Sequence, residues 1–278
     1  MSYLKSLAHW TVPPGVQEAL VDARSVITGK RPRGIPFEGE GRRIEPENDS
    51  ASLLELRTAR PKDILWVPLD RVRTLQATSF SPKQNHYTRY FLDGEPALRR
   101  FYQLHRPQNQ FEAVFVDFPG NLEAKATPAV LREAPWNAED TQRTDLAETP
   151  WFGPISDSRL KLELERLQGA LASIEARGLW VRDSGDNIRF ELLVDDLREG
   201  PEEFVCVVQG GNHRVAALAH LGWTHIPMGV MPKRLREIRH SDLSVWPRVL
   251  DGTFSQDAAR KYFSAFFRDP HLSLLPNW

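Results

Sequence analysis

The sequence predicts an α+β fold, and three periodic segments carry that prediction. Residues 204–208 form an apolar, β-branched run that ends in two glycines, and residues 212–222 then repeat apolar side chains at helical spacing before a strand over 226–230. Residues 160–174 repeat leucine or isoleucine at heptad-like spacing, which indicates a longer helix, and residues 188–194 alternate as a strand does. Short strands and helices mixed in this way are typical of an α+β domain.

Length, charge and cysteine content exclude several classes of protein. A chain of 278 residues can form one large domain, or one domain with appendages. A net charge of −1 argues against a broad basic surface for nucleic acid, and the one cysteine, Cys206, excludes a disulfide scaffold or a cysteine-based zinc site. Neither a membrane-length apolar run nor a signal-peptide pattern is present, so we expect a soluble, cytoplasmic protein without a membrane span.

Residues 1–62 are predicted to form an N-terminal helix followed by a linker. Apolar side chains from Val16 to Ile27 recur on roughly one helical face, which can pack on the protein's own core or bind a protein partner. From Gly29 to about Pro61 the sequence turns to Arg, Gly, Glu, Pro and Ser, which indicates a loop.

The two-glycine turn predicts a place for an anion. It sets Asn212, His213 and Arg214 at a helix N-terminus, where free backbone N–H groups and the helix dipole favour negative charge. Arg214 and His213 add donors, and Gly210 and Gly211 let a phosphate approach the backbone. The alternative is purely structural: the glycines make a tight turn, Asn212 caps the helix and Arg214 forms a surface ion pair.

The sequence from Gly210 to Arg214, followed by an alanine-rich helix, a Leu-Gly stop and an Ile-Pro strand, resembles the phosphate-binding signature of the ParB/sulfiredoxin superfamily. Residues 171–178 and 64–72 resemble the preceding helix and the opening strand of ParB-like domains. The resemblance implies that Gly210, Gly211, Asn212, His213 and Arg214 bind ATP or ADP, with CTP as an alternative, together with Mg²⁺. Asn212 stands where sulfiredoxins carry their cysteine, which excludes sulfiredoxin activity.

The resemblance also implies a domain organisation. It places a ParB/sulfiredoxin-like core of short mixed strands and helices at 63–232, with a large insertion over 73–150 and a helical C-terminal extension over 233–278. Aromatic side chains of the insertion can line an acceptor pocket or form the insertion's own core; they are Phe80, Tyr87, Tyr90, Phe91, Phe101 and Tyr102. We also expect a helix near Glu95 to Leu104, a strand at 113–116, and an aromatic helix over 254–267 that packs back onto the core.

Similarity to the free serine kinases of this superfamily implies a nucleotide-dependent phosphotransferase. Those enzymes carry a catalytic acid just ahead of the helix that precedes the phosphate loop, and Asp157 is the nearest counterpart here, beside His213 as the second catalytic candidate. Ser156 is predicted at the nucleotide, although Ser156 or Asp157 can equally cap the helix. Glu163 and Glu165 are weaker choices for the acid, since they can face solvent.

The acceptor and two other functions stay open. Similarity to uncharacterised proteins of bacterial polysaccharide gene clusters suggests a sugar or glycan precursor as the small hydroxyl-bearing acceptor. A nucleotide-binding switch or scaffold that hydrolyses slowly, or not at all, is the alternative; a DNA-binding ParB-like regulator is disfavoured by the net charge and by the lack of a helix-turn-helix pattern. Asp195, Asp196 and Glu199 can hold a divalent metal or lie in solvent, and we predict no protein-held metal site.

Overall fold

The computed structural model describes residues 41–47, 49–60, 62–107, 134–137, 150–182, 187–230 and 237–269. All of them belong to the second of the two units into which the chain divides, 1–40 and 41–278. The predicted N-terminal helix, the predicted strand at 113–116 and the basic residues at 233–236 therefore lie outside the described residues.

The described residues mix helices and strands, which confirms the α+β prediction. The strands are β1 (Gly41–Ile44), β2 (Ile64–Pro68), β3 (Val72–Arg73), β4 (Leu179–Arg182), β5 (Arg189–Asp195), β6 (Glu203–Gly210), β7 (His225–Val230) and β8 (Ile238–Arg239). The α-helices are α1 (Leu53–Thr58), α2 (His86–Asp93), α3 (Glu95–Leu104), α4 (Asp157–Arg177), α5 (Asn212–His220), α6 (Pro247–Leu250) and α7 (Gln256–Ala265). Turns of 3₁₀ helix span Leu69–Arg71 and His240–Val245.

A mixed sheet with strand order β2-β7-β5-β6-β3 forms the centre of the domain, and β8 pairs with β5 beside it. The pairs β2–β7 and β5–β6 are antiparallel, whereas β3–β6, β5–β7 and β5–β8 are parallel. In the central pair Leu192 faces Cys206, and Leu193 faces Val205. Because side chains alternate along a strand, this register sends Leu192 and Cys206 to one face and Leu193 and Val205 to the other.

Each face of the sheet packs into its own hydrophobic cluster. One cluster joins Leu192 and Cys206 to buried residues of α4 and α5, such as Leu167 and Leu218. The other joins Leu193 and Val205 to the C-terminal segment, with these buried aromatic residues: Trp246, Phe254, Tyr262, Phe263 and Phe266. The prediction that the aromatic helix packs back onto the core is confirmed.

Helices α2 and α3 lie within the region predicted as an insertion, and their aromatic side chains belong to the main core. Phe80, Tyr87, Phe101 and Tyr102 are all buried and share one cluster with the sheet residues Phe190 and Val208. The predicted helix from Glu95 to Leu104 is confirmed. These four aromatic residues therefore form core, not an exposed acceptor pocket.

The prediction of an unstructured linker up to Pro61 is wrong for residues 41–44 and 53–58. Strand β1 pairs antiparallel with β4, far away in the sequence, so the pairing depends on tertiary contact rather than local periodicity. Helix α1 begins with a capping box between Ser52 and Glu55 and buries Leu56. A capping box and one buried leucine are too weak a pattern to predict a six-residue helix.

Within the described residues, none of the helices combines the length and the apolar content needed to span a membrane.

Candidate functional site

The two-glycine turn lies where β6 meets α5, as predicted. Gly211 is the N-cap of α5 and has φ +93° and ψ 19°, in the left-handed region that favours glycine. A Cβ atom at this position would stand 3.0 Å from Ile188 Cγ1 and 3.2 Å from Arg214 Nη2. At Gly210, by contrast, a Cβ atom would meet no atom within 4 Å. The chain therefore requires glycine at 211 but not at 210.

Gly211→Ala is expected to lower the free energy of unfolding by about 1–2 kcal/mol, because an L-residue must be forced into left-handed backbone. Chemical denaturation measures the loss. Gly210→Ala is the matched control and should stay within about 1 kcal/mol of the wild type, since it meets neither a steric contact nor a positive φ. Equal losses in the two variants would contradict this account of the turn.

The carboxylate in contact with His213 belongs to Glu163, whose side chain is fully buried. Glu163 Oε2 lies 2.7 Å from His213 Nε2 and accepts a hydrogen bond of 2.9 Å from the Tyr87 hydroxyl. Its Oε1 pairs with Arg159 at 2.7 Å and with Arg166 at 3.1 Å. Four donors thus converge on one buried carboxylate next to the two-glycine turn.

Helical periodicity places Glu163 in this position. The buried residues of α4 are Leu160, Glu163, Leu167 and Ile174, which recur at intervals of three, four and seven and so share one face. The expectation that Glu163 faces solvent is wrong, because it occupies a core position of an otherwise apolar stripe. Its spacing from Leu160 and Leu167 is the signal that sequence reasoning missed.

The neighbours of Glu163 keep it ionised. Burial alone would raise the pKa of the carboxyl group, but the hydrogen bonds from His213 and Tyr87 and the charge of Arg159 lower it from 4.5 to about 2. At neutral pH the site therefore holds a buried negative charge that binds His213 on one oxygen and two arginines on the other.

The lowered pKa predicts an acid-labile contribution to stability. Because the folded carboxyl has the lower pKa, its contribution is complete above pH 4.5 and is lost as the pH falls toward 2. From about pH 6 to about pH 3, the wild type should lose about 2 kcal/mol more unfolding free energy than Glu163→Gln, which lacks the titrating group. Urea unfolding across that range tests this, and parallel pH profiles would contradict it.

An aromatic cluster fixes Tyr87 beside the site. The Pro150 carbonyl oxygen accepts hydrogen bonds from His86 Nε2 at 3.3 Å and from Tyr102 at 3.0 Å, and it lies 3.2 Å from the Tyr87 hydroxyl, whose one hydrogen it shares with Glu163. His86 stacks on Phe101 with ring centroids 4.0 Å apart, and burial lowers the pKa of His86 to about 3, so it is neutral. The Tyr87 ring lies 4.7 Å from that of His213. Helices α2 and α4 thus both orient His213.

The structure does not bring Asp157 into contact with His213. Asp157 is the first residue of α4, its side chain is 87% exposed, and its carboxylate pairs with Arg99 at 2.7 Å. It precedes Glu163 by six residues, which is about 9 Å along a helix. Ser156 is the N-cap of α4 and accepts a hydrogen bond of 3.1 Å from the Arg159 amide. Ser156 and Asp157 therefore form the N-terminus of α4.

Asn212 is the first residue of α5, and its side chain does not cap the helix as the structural alternative predicted. It is 7% exposed, and its Oδ1 has no hydrogen-bond partner in the described structure. A buried amide oxygen without a donor is uncommon in folded proteins and calls for a polar partner. Arg214, two residues further along α5, is half-buried with Nη2 close to Gly211.

Within the described ranges, no group of three or more His, Cys, Asp or Glu residues could hold a metal ion. Asp195 pairs with His240 at 2.8 Å, and Asp196 accepts hydrogen bonds from Ser241. Near the turn, imidazole and guanidinium groups are not the oxygen ligands that Mg²⁺ prefers, and the Glu163 carboxylate is already held by its four donors, which leaves the Asn212 amide oxygen as a single oxygen ligand. These residues therefore do not fit a protein-held Mg²⁺.

Comparisons with known proteins identify no family for this chain. No family model matches it, and neither a curated protein nor a solved structure does. Its function is therefore inferred from the contacts of the two-glycine turn and of Glu163.

Proposed function

We propose that this protein is a nucleotide-dependent phosphotransferase, in which residues 210–214 bind phosphate and His213 is the general base. The hydrogen bond between Glu163 and His213, at the N-terminus of α5, is the observation that carries the proposal. The resemblance of the turn to the ParB/sulfiredoxin signature supports the same assignment.

Several features of the turn favour phosphate binding. The first backbone N–H groups of α5 have no partner within the helix, and the helix dipole adds positive potential there. Gly210 leaves open space next to the backbone, and the Arg214 guanidinium lies beside Gly211. The unpartnered Asn212 Oδ1 is an acceptor, so it would take a hydrogen bond from a donor group of the ligand, such as a hydroxyl, and not from phosphate. ATP or ADP is the proposed nucleotide, with CTP as an alternative, and Mg²⁺ would arrive bound to its phosphates.

Glu163 orients His213 for proton transfer. When Nε2–H donates to the carboxylate, the other ring nitrogen, Nδ1, carries the lone pair and can accept a proton. A buried carboxylate also stabilises the imidazolium that forms after the transfer. Because Glu163 is fully buried, it acts through His213 and not on the acceptor.

The proposed step joins the acceptor oxygen to the terminal phosphorus of the nucleotide. The bond between that phosphorus and the bridging oxygen breaks, and its electron pair leaves with the shortened nucleotide. The hydroxyl proton of the acceptor moves to His213 Nδ1. The acceptor is a small hydroxyl compound, and a sugar or glycan precursor is the proposed class from the polysaccharide-cluster resemblance.

A nucleotide-binding switch is the second candidate function. The observation that favours it is the complete burial of Glu163, since a dyad of this kind can also serve only to hold α4 against α5. Nucleotide binding with slow hydrolysis or none, and without transfer to a hydroxyl compound, is the result expected of a switch.

Transfer from γ-³²P-labelled ATP separates the two functions. The wild type should phosphorylate at least one acceptor among L-serine, D-glucose and N-acetyl-D-glucosamine faster than it hydrolyses ATP. At saturating ATP, His213→Gln should lower the rate by about 100-fold or more, because loss of the base lowers kcat whatever His213 contributes to ATP binding. His225→Gln is the matched control, because His225 is a half-buried histidine bonded to Ser50, outside the site.

Wild-type binding of ATP without transfer to a hydroxyl compound would contradict the transferase and leave the switch. A His213→Gln rate equal to that of the wild type would contradict the assignment of His213 as the base.

A further inference from the structure

Helix α4 carries a charged stripe of two arginines around one carboxylate. Arg159, Glu163 and Arg166 follow one another at intervals of four and three residues and so lie on one helical face. Both arginines pair with the same oxygen, Glu163 Oε1. Their side chains are 20% and 35% exposed, whereas that of Glu163 is fully buried. The buried carboxylate therefore holds two partly exposed arginine side chains, and within the described structure the Arg159 Nε atom is buried without a hydrogen-bond partner.

The stripe has a surplus of positive charge. One carboxylate faces two guanidinium groups, and no second acid pairs with Arg159 or Arg166 within the described ranges. His213 lies on the other oxygen of the same carboxylate, and Arg214 is its neighbour in α5. In a partly buried setting this excess charge is incompletely screened and attracts anions.

The stripe and the N-terminus of α5 meet at the Glu163 carboxylate. Because Arg159 Nη2 and Arg166 Nη1 both contact Oε1, the two nitrogens are less than about 6 Å apart. His213 Nε2 contacts Oε2 of the same carboxylate at 2.7 Å, and His213 is the second residue of α5. Two arginines of α4 and a histidine in the first turn of α5 thus contact the two oxygens of one carboxylate.

We infer that the site recognises a chain of at least two phosphates, with one phosphate on the two-glycine turn and the next against Arg159 and Arg166. This inference rests on the proposed function and narrows its ligand to polyphosphates: nucleoside di- and triphosphates or inorganic polyphosphate. A guanidinium fork suits successive phosphate oxygens because it donates two parallel hydrogen bonds. A single phosphate fills only the turn and gains nothing from the stripe.

Calorimetric titration of the full chain with orthophosphate, pyrophosphate, tripolyphosphate, AMP, ADP and ATP tests the inference. The wild type should bind tripolyphosphate and ATP at least about ten-fold more tightly than orthophosphate and AMP. Arg166→Gln should weaken tripolyphosphate and ATP by about ten-fold or more and change orthophosphate by less than about three-fold. Equal affinities for tripolyphosphate and ATP would identify the phosphate chain itself as the ligand, whereas a preference for ATP would identify the nucleotide.

Two further variants test whether a loss of affinity in Arg166→Gln comes from the lost charge and not from misfolding. Arg166→Lys keeps the charge and should retain most of the preference for polyphosphates, although the bidentate geometry is lost. Arg177→Gln is the matched control, because Arg177 lies in the last turn of the same helix and bonds Ser173. It should leave every affinity unchanged.

An unchanged ratio of tripolyphosphate to orthophosphate affinity in Arg166→Gln, with orthophosphate still bound, would overturn this inference and leave the proposed function standing. The absence of binding to every phosphate compound in the wild type would overturn both.

Discussion

Glu163→Ala is expected to destabilise the domain by about 3–5 kcal/mol, because it leaves Arg159 and Arg166 without their buried counter-charge. It also removes the hydrogen bonds that hold His213 and Tyr87. Where enough folded protein remains, kcat for phosphoryl transfer should fall, since Glu163 orients the base. Chemical denaturation and steady-state kinetics measure the two effects.

Glu165→Ala is the matched control for this substitution. Glu165 lies on the same helix, its side chain is 60% exposed, and its pair with Lys161 is 3.9 Å long. The expected change in stability is within about 0.5 kcal/mol. Glu163→Gln should fall between the two, because the amide keeps the shape of the side chain and loses the charge. If the Glu163→Ala variant were as stable as Glu165→Ala, the Glu163 carboxylate would not stabilise the domain as proposed.

Leu98→Ala is expected to lower the free energy of unfolding by about 2–5 kcal/mol. Leu98 is fully buried in α3 and belongs to the cluster that also contains the sheet residues Phe190 and Val208. The substitution opens a cavity in that shared core, so unfolding followed by circular dichroism should shift as a single transition for the whole domain.

Leu104→Ala, in the last turn of the same helix, is the matched control for Leu98→Ala. Both variants make the same change in helix propensity, but only Leu98 is buried, so the difference between their stabilities measures the effect of burial. Leu104 is 57% exposed, and its loss should cost less than about 0.5 kcal/mol. If Leu98→Ala produced a separate early transition while the sheet stayed folded, α3 would be an independent module and would not share the core.

Long periodic segments explain why much of the fold could be predicted from the sequence. Helix α4 has leucines at 160 and 167, and β6 contains an apolar run over 204–208, which Gln209 and two glycines follow. In such segments apolar residues recur at the period of the helix or strand, so the buried face can be recognised in the sequence itself. The predicted turn geometry at Gly211 is confirmed for the same reason, since a left-handed residue there favours glycine.

Tertiary contacts explain what the sequence could not show. Strand β1 forms through its pairing with β4. Helix α3 belongs to the core because Leu98 and Phe101 share a buried cluster with residues of the sheet. Glu163 looked like a solvated residue because charged side chains are rarely buried without partners. Its partners come from α2, α4 and α5, and no local pattern brings Tyr87, Arg159 and His213 together. The ParB/sulfiredoxin assignment stays a prediction.

Calorimetric titration of the full chain with ATP and Mg²⁺, beside Arg214→Ala, tests the phosphate-binding turn most directly. Loss of a guanidinium paired with phosphate should weaken ATP binding by roughly 10- to 150-fold, equivalent to about 1.5–3 kcal/mol. Arg177→Ala should bind as the wild type does. Binding of ATP that depends on Arg214 is the predicted result, and equal binding by the wild type and Arg214→Ala, or no binding by either, would contradict the account.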